Sequence, residues 1–131
     1  MENKEKIIKY WVDSSDEDFE TMMVLYNTKR YSWALFIGHL MLEKILKAYF
    51  VKEKSDYPPY IHNLIRIAEL SNIETNEDQK KQLITITAFN INSRYDDYKM
   101  SFAKLCTKEY TSIWINNITS LRLWIKTLIL Q

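Results

Sequence analysis

Glycine and proline are almost missing from this chain, with one glycine and two prolines in 131 residues. A sheet of several strands needs tight turns, and most of those need glycine or another residue tolerant of positive φ, so the scarcity argues for few turns and long helices. Cysteine is as rare: Cys106 stands alone, which rules out an intramolecular disulfide and suits a reducing compartment. Neither sign of charge predominates. Eighteen Lys and Arg against seventeen Asp and Glu leave +1, interspersed along the chain, without the electrostatic footprint of a protein that coats DNA or RNA. The N-terminus, MENKEKIIKYW, lacks the apolar core and cleavage site of a signal peptide, so a cytoplasmic location is expected. The single glycine, Gly38, sits within an apolar helical run, which excludes a glycine-rich phosphate loop and with it P-loop and Rossmann chemistry.

What is present points to one folded, all-α domain over residues 1–131. Hydrophobic residues make up 47% and charged residues 27%, and the chain is long enough to bury a core without a disulfide or a structural metal. Its organising stretch is Trp33 to Val51, WALFIGHLMLEKILKAYFV, where the only charges are Glu43, Lys44 and Lys47. At 100° per residue His39, Glu43 and Lys47 share one narrow stripe, and apolar residues cover the rest of the circumference. Such a helix needs neighbours on several sides. It is not a membrane span, because each charge near its centre would cost roughly +2.5 to +3.5 kcal/mol on insertion.

Around this spine the periodicity predicts four more helices, hence a helical bundle of about five. The first runs from Ile7 to about Thr28, with Ile8, Val12, Ser15, Phe19, Met22 and Tyr26 inward and Asp16, Glu17 and Glu20 outward. Ser14 and Glu17 also fit a capping box that would split it near Asp13. The central helix ends at about Lys54, before Pro58 and Pro59 break the chain. A short third helix carries Leu64, Ile67, Ala68 and Leu70. Asn76 and Gln79 resemble a cap opening a fourth helix to about Asn90, through ITITAFNI, which alternates like a strand but has no partner strand elsewhere. Asn92 to Cys106 reads as a long functional loop, and the last helix runs from about Thr107 to Leu130. In that helix Ile113, Trp114, Asn117, Leu121, Trp124, Ile125 and Leu128 form one side. Ile115, Ile118, Leu123 and Ile129 spill onto adjoining faces, as expected either of an oligomer interface or of a helix buried all round.

Few residues carry chemistry. His39 and Glu43, one turn apart, resemble half of a metal site, but with only His62 and Cys106 as further soft ligands no structural zinc is expected. The alternative is a polar stripe in which Glu43 pairs with His39 and Lys47. Arg94-Tyr95-Asp96-Asp97-Tyr98-Lys99 is the other constellation. Arginine offers a planar fork of donors suited to phosphate, and tyrosine can stack on a base. Equally, Arg94 can pair with Asp96, Asp97 or Glu43 and pin the loop to the bundle.

Phe36-x-x-His39-x-x-x-Glu43-Lys44-x-x-Lys47-Ala48, then Pro58 and Pro59, then His62-Asn63-Leu64, then Arg94-Tyr95, together resemble the HEPN domain family, small helical domains named for nucleotide binding in higher eukaryotes and prokaryotes. The likeness spans about residues 7 to 130. It implies an up-and-down bundle that forms a homodimer, with a cleft between subunits near Arg94 and Tyr95. It also implies a minimal nucleotidyltransferase as partner, in a pair like those of toxins and antitoxins, and no cofactor. Many members of the family are metal-independent ribonucleases, whose arginine is followed after four to six residues by a histidine. In this chain those positions hold Lys99, Met100 and Ser101, and Asp96 replaces the proline expected after Arg94-Tyr95. The reading is therefore a binding domain without the usual ribonuclease motif. Arg94, Tyr95 and Lys99 are its first nucleotide-contacting residues; His39, Glu43, Lys47 and His62 come second. Two rivals stand beside it: an endoribonuclease toxin in which the fold brings His62 or His39 to Arg94, and a structural assembly module in which Arg94 is spent on an internal carboxylate.

Overall fold

The computed structural model describes all residues, 1–131, as six helices: α1 (Lys4–Asn27), α2 (Tyr31–Lys54), α3 (Leu64–Leu70), α4 (Glu77–Asn92), α5 (Asp96–Leu105) and α6 (Lys108–Leu130). The helical bundle stands, with six helices in place of about five. None of them is long and apolar enough to cross a membrane.

The spine is α2. Half of its 24 residues are buried, on all sides, and α1, α3, α4, α5 and α6 all pack against it. α1 is continuous through Ser14 and runs antiparallel to α2, as Lys4 Nζ bonded to Ser55 Oγ and Ser15 Oγ donating to the Met41 carbonyl show. α6 runs parallel to α2: Ile118 meets Gly38 near the start, and Lys52 Nζ donates to the Leu128 and Gln131 carbonyls at the end. Those two bonds satisfy acceptors that a helix C-terminus otherwise leaves open. Gly38 sets how close the helices come. A Cβ there would lie 2.7 Å from Ile118 Cδ1 and 3.2 Å from Met22 Sδ.

The buried face of α6 differs from the expected one. Its buried residues are Thr111, Ile115, Ile118, Leu121 and Ile125, so Ile115 and Ile118 belong to the core, whereas Ile113, expected inward, is exposed. Asp16 is also corrected. Instead of facing away, its carboxylate pairs with Arg122 and Lys126 of α6, and Arg122 stacks on Phe19, 5.2 Å from the ring centre.

Caps fix the shorter helices. Asn63 Oδ1 accepts from Arg66 N at the start of α3, and Asn76 with Gln79 forms a full capping box at α4. ITITAFNI is helical, with Leu83, Ile86 and Phe89 buried. The stretch read as a loop, Asn92 to Cys106, holds α5. Two acidic residues favour its N-terminus and Lys104 its last turn, but Phe102 is its single buried side chain, so no repeating apolar stripe announces it. Phe102 anchors α5 against Phe89, with ring centres 5.4 Å apart.

Candidate functional site

Residues 36, 39, 43 and 47 of α2 recur at helical spacing and line one face, and side chains from three other elements meet that row. At one end is Arg94, between α4 and α5. Its Nε donates to the Asn90 carbonyl (3.0 Å) and its Nη2 to Asn90 Oδ1 (2.6 Å), an attachment one turn back on α4. The guanidinium lies 5.3 Å from the Phe36 ring centre and 5.8 Å from that of Tyr95. Arginine has five N–H donors, so most remain for a ligand once these two bonds are made. Arg94 is exposed and forms no ion pair with Asp96, Asp97 or Glu43, in contrast to the pinned-loop expectation. The uncharged Asn90 holds the side chain without spending its charge. Tyr95, the N-cap residue of α5, is 56% exposed, and Lys99 one turn on is exposed.

Further along α2, Glu43 is the hub. Its Oε2 accepts from Lys47 Nζ (3.0 Å) and its Oε1 from His62 Nδ1 (2.8 Å). The carboxylate and the ammonium are both buried, and the Trp11 ring of α1 covers Lys47 at 5.5 Å. A buried pair of this kind persists because each charge is matched and hydrogen-bonded. His62 is different: two thirds of its side chain is exposed, and its second nitrogen is free.

His39 lies between the two groups. It does not pair with Glu43, as the polar-stripe expectation had it; Nε2 donates to the His62 backbone carbonyl at 2.9 Å. Nδ1 is then the unprotonated nitrogen, and it is buried without a partner. Burial is the main force lowering the pKa of this imidazole, helped by the positive field of Arg94 and opposed by the His62 carbonyl and by Glu43. A neutral, fully buried ring positions the segment that carries His62.

The structure thus gathers the seven sequence candidates into two groups on one face of α2. Arg94 lies over Phe36 and Tyr95, with Lys99 exposed one turn further along α5, and Lys47 and His62 gather around Glu43, with His39 bridging. From Phe36 to Glu43 is about 10 Å along the axis at 1.5 Å per residue. Asn90, Trp33 and Trp11 were not singled out from the sequence. Only Asn90 had a usable signal, its place four residues before Arg94. No three His, Cys, Asp or Glu side chains converge as metal ligands would. The thiol of Cys106 is buried, and burial pushes its pKa up to about 12.

Comparison with known proteins supports the same architecture. A family model described as HEPN domain matches residues 8–128. The crystal structure of TT1696 from Thermus thermophilus superposes with a TM-score of 0.79, covering 92% of this chain and 96% of that one at 13% identity, a likeness of fold. No curated protein matches the sequence.

Proposed function

Since the chain belongs to the HEPN domain family, we propose that it is a nucleotide-binding domain, active as a cytoplasmic homodimer and paired with a minimal nucleotidyltransferase in a toxin–antitoxin-like couple. One observation carries the binding: the Arg94 guanidinium is exposed, without a carboxylate partner, and held in place by Asn90, Phe36 and Tyr95. A cation fixed before its ligand arrives loses less entropy on binding than a free one. In this reading Arg94 and Lys99 take the phosphate and Tyr95 the base, while His39, Glu43, Lys47 and His62 hold the adjoining wall. The edge formed by α4 and α5 leaves Ile84, Ile91, Tyr98, Met100 and Leu105 exposed, apolar area that supports a second subunit there. The partner enzyme rests on the family alone.

Thermal unfolding with a panel of nucleotides tests the binding. A ligand at about 100 times its Kd stabilises the native state by about 2.7 kcal/mol. Wild type is expected to shift and Arg94→Ala is not; equal shifts in both would remove Arg94 from the site. Sedimentation velocity reads the dimer.

A second reading, the endoribonuclease, draws on the Glu43–His62 pair, which orients an imidazole with one nitrogen open to solvent. Against it stands the separation along α2, since a general base must reach within about 3 Å, or one water, of the oxygen beside the arginine. Cleavage of RNA by wild type that disappears in both His62→Ala and Arg94→Ala would establish it.

A further inference from the structure

The last helix presents an outer face without a charge. From Tyr110 to Leu130 only Arg122 and Lys126 are charged, and both pair with Asp16 of α1. The exposed residues along that length are Ile113, Asn116, Ser120, Leu123, Thr127 and Leu130, on the side of α6 opposite the buried Ile118 and Ile125. α1 contrasts with it, since Glu5, Lys6, Lys9, Asp13, Glu17 and Glu20 are all among its exposed residues. The solvent side of a helix normally carries charge in this way. On α6, Ile113, Leu123 and Leu130 are instead 58%, 64% and 77% exposed.

The spacing of the six outward residues is three, four, three, four, three. A seam that recurs every 3.5 residues stays turned to one partner helix along its length, here about 26 Å. Its order is also self-complementary. About a two-fold axis at the level of Leu121 and Arg122, an antiparallel copy sets Ile113 against Leu130 of the partner subunit, Asn116 against Thr127 of the partner subunit and Ser120 against Leu123 of the partner subunit. Apolar then meets apolar, amide meets hydroxyl, and a small side chain leaves room for a large one. The Thr127 hydroxyl already donates to the Leu123 carbonyl at 2.8 Å, so its oxygen is left to accept from an amide. Glu109 lies one turn before Ile113, beyond the paired stretch. No charge on either copy opposes the contact.

We propose that α6 is a self-association surface, on which a second copy of the chain docks its own α6 antiparallel about that axis. The proposal does not rest on the reading of Arg94. On α2, Gly38, which meets Ile118 of α6, lies about 200° round the helix from Phe36, which meets Arg94. Nor does it use any residue of the α4–α5 edge, so a chain that engages both surfaces has two isologous interfaces and assembles beyond a dimer.

Sedimentation velocity of wild type, Ser120→Glu, Leu123→Lys and the double variant, over a range of protein concentrations, tests this. Both positions are exposed, so all three variants are expected to keep the helical circular dichroism of the wild type. Each single variant buries a charge without a partner at the axis and is expected to weaken self-association about a hundredfold, with the particle mass falling by about half. In the double variant each new carboxylate opposes a new ammonium across the axis, so association is expected to return and to weaken with added salt. A wild type that is monomeric at every concentration, or an oligomer whose mass both single variants keep, overturns the proposal. So does a double variant that stays dissociated, because a parallel pairing would set like charges together.

Discussion

Glu43 and His62 meet at 2.8 Å across the α2–α3 junction, and the same carboxylate holds Lys47 at 3.0 Å through its other oxygen. One buried acid therefore organises both the interior ion pair and the exposed imidazole. Removing it leaves the Lys47 ammonium buried with only the Trp11 ring for company.

Glu43→Gln is accordingly expected to destabilise the fold by about 3–5 kcal/mol, the range found when one partner of a buried pair is lost. Adding Lys47→Met removes the stranded charge, so the double variant is expected to be more stable than Glu43→Gln alone. Urea unfolding of the four proteins measures the coupling. A double variant less stable than Glu43→Gln would show that Lys47 does not depend on this carboxylate.

His39 gives the stability a pH dependence of known sign. Its pKa is lowered in the folded protein, chiefly by burial, with Arg94 and the His62 ring adding to the shift and the His62 carbonyl and Glu43 opposing it. Below its ordinary value of about 6.5 the unfolded chain therefore binds a proton that the folded chain refuses, and stability declines as the pH falls. The contribution is fully present above that value and is lost at up to about 1.4 kcal/mol per pH unit below it. His39→Gln keeps a donor for the His62 carbonyl but cannot titrate. Denaturation between pH 7.5 and 5 should show a steeper loss in wild type than in this variant, and parallel curves would exclude His39 as the source.

The long helices were legible in the sequence because each repeats an apolar stripe, and α2 in particular because its stripe closes round the whole circumference. The polar row His39, Glu43 and Lys47 was legible for the same reason. The Glu43–Lys47 pair was legible too, one turn apart; the second partner of Glu43 was not, since His62 lies nineteen residues away and only folding brings it near. α5 escaped notice because a ten-residue helix with one buried side chain carries no period to read. Asp16 was misread because a charge on the flank of a stripe looks solvated until Arg122, on the last helix, is brought beside it.

Gly38 limits what α2 can carry at its closest contact. In an open helix, replacing glycine with alanine gains roughly 0.5–1 kcal/mol. Here the new methyl would lie 2.7 Å from Ile118 Cδ1 in a fully buried site, and overpacking of that kind costs about 1–3 kcal/mol. Gly38→Ala is therefore expected to destabilise the wild-type protein. Ile118→Val removes the clashing carbon, and in that background the same substitution is expected to stabilise. A change of sign in thermal unfolding between the two backgrounds identifies the contact; the same sign in both would place the constraint elsewhere, at Met22 first.

Cys106 is the one thiol, and its surroundings argue against any role as a nucleophile. It closes α5, is 4% exposed, and burial pushes its pKa from 9.0 up to about 12. The thiolate is the reactive form, so a shift of that size lowers its fraction near neutral pH by about a thousandfold, before any steric protection is counted. A thiol reagent should consequently modify the native protein at least a thousandfold more slowly than the urea-unfolded chain, at a rate that follows the opening of the α5–α6 junction. Cys106→Ala should leave any nucleotide-induced stabilisation unchanged, since the thiol belongs to the buried core and Arg94 does not. Rapid labelling of the folded protein, or loss of that stabilisation in the alanine variant, would instead make α5 a mobile element of the site.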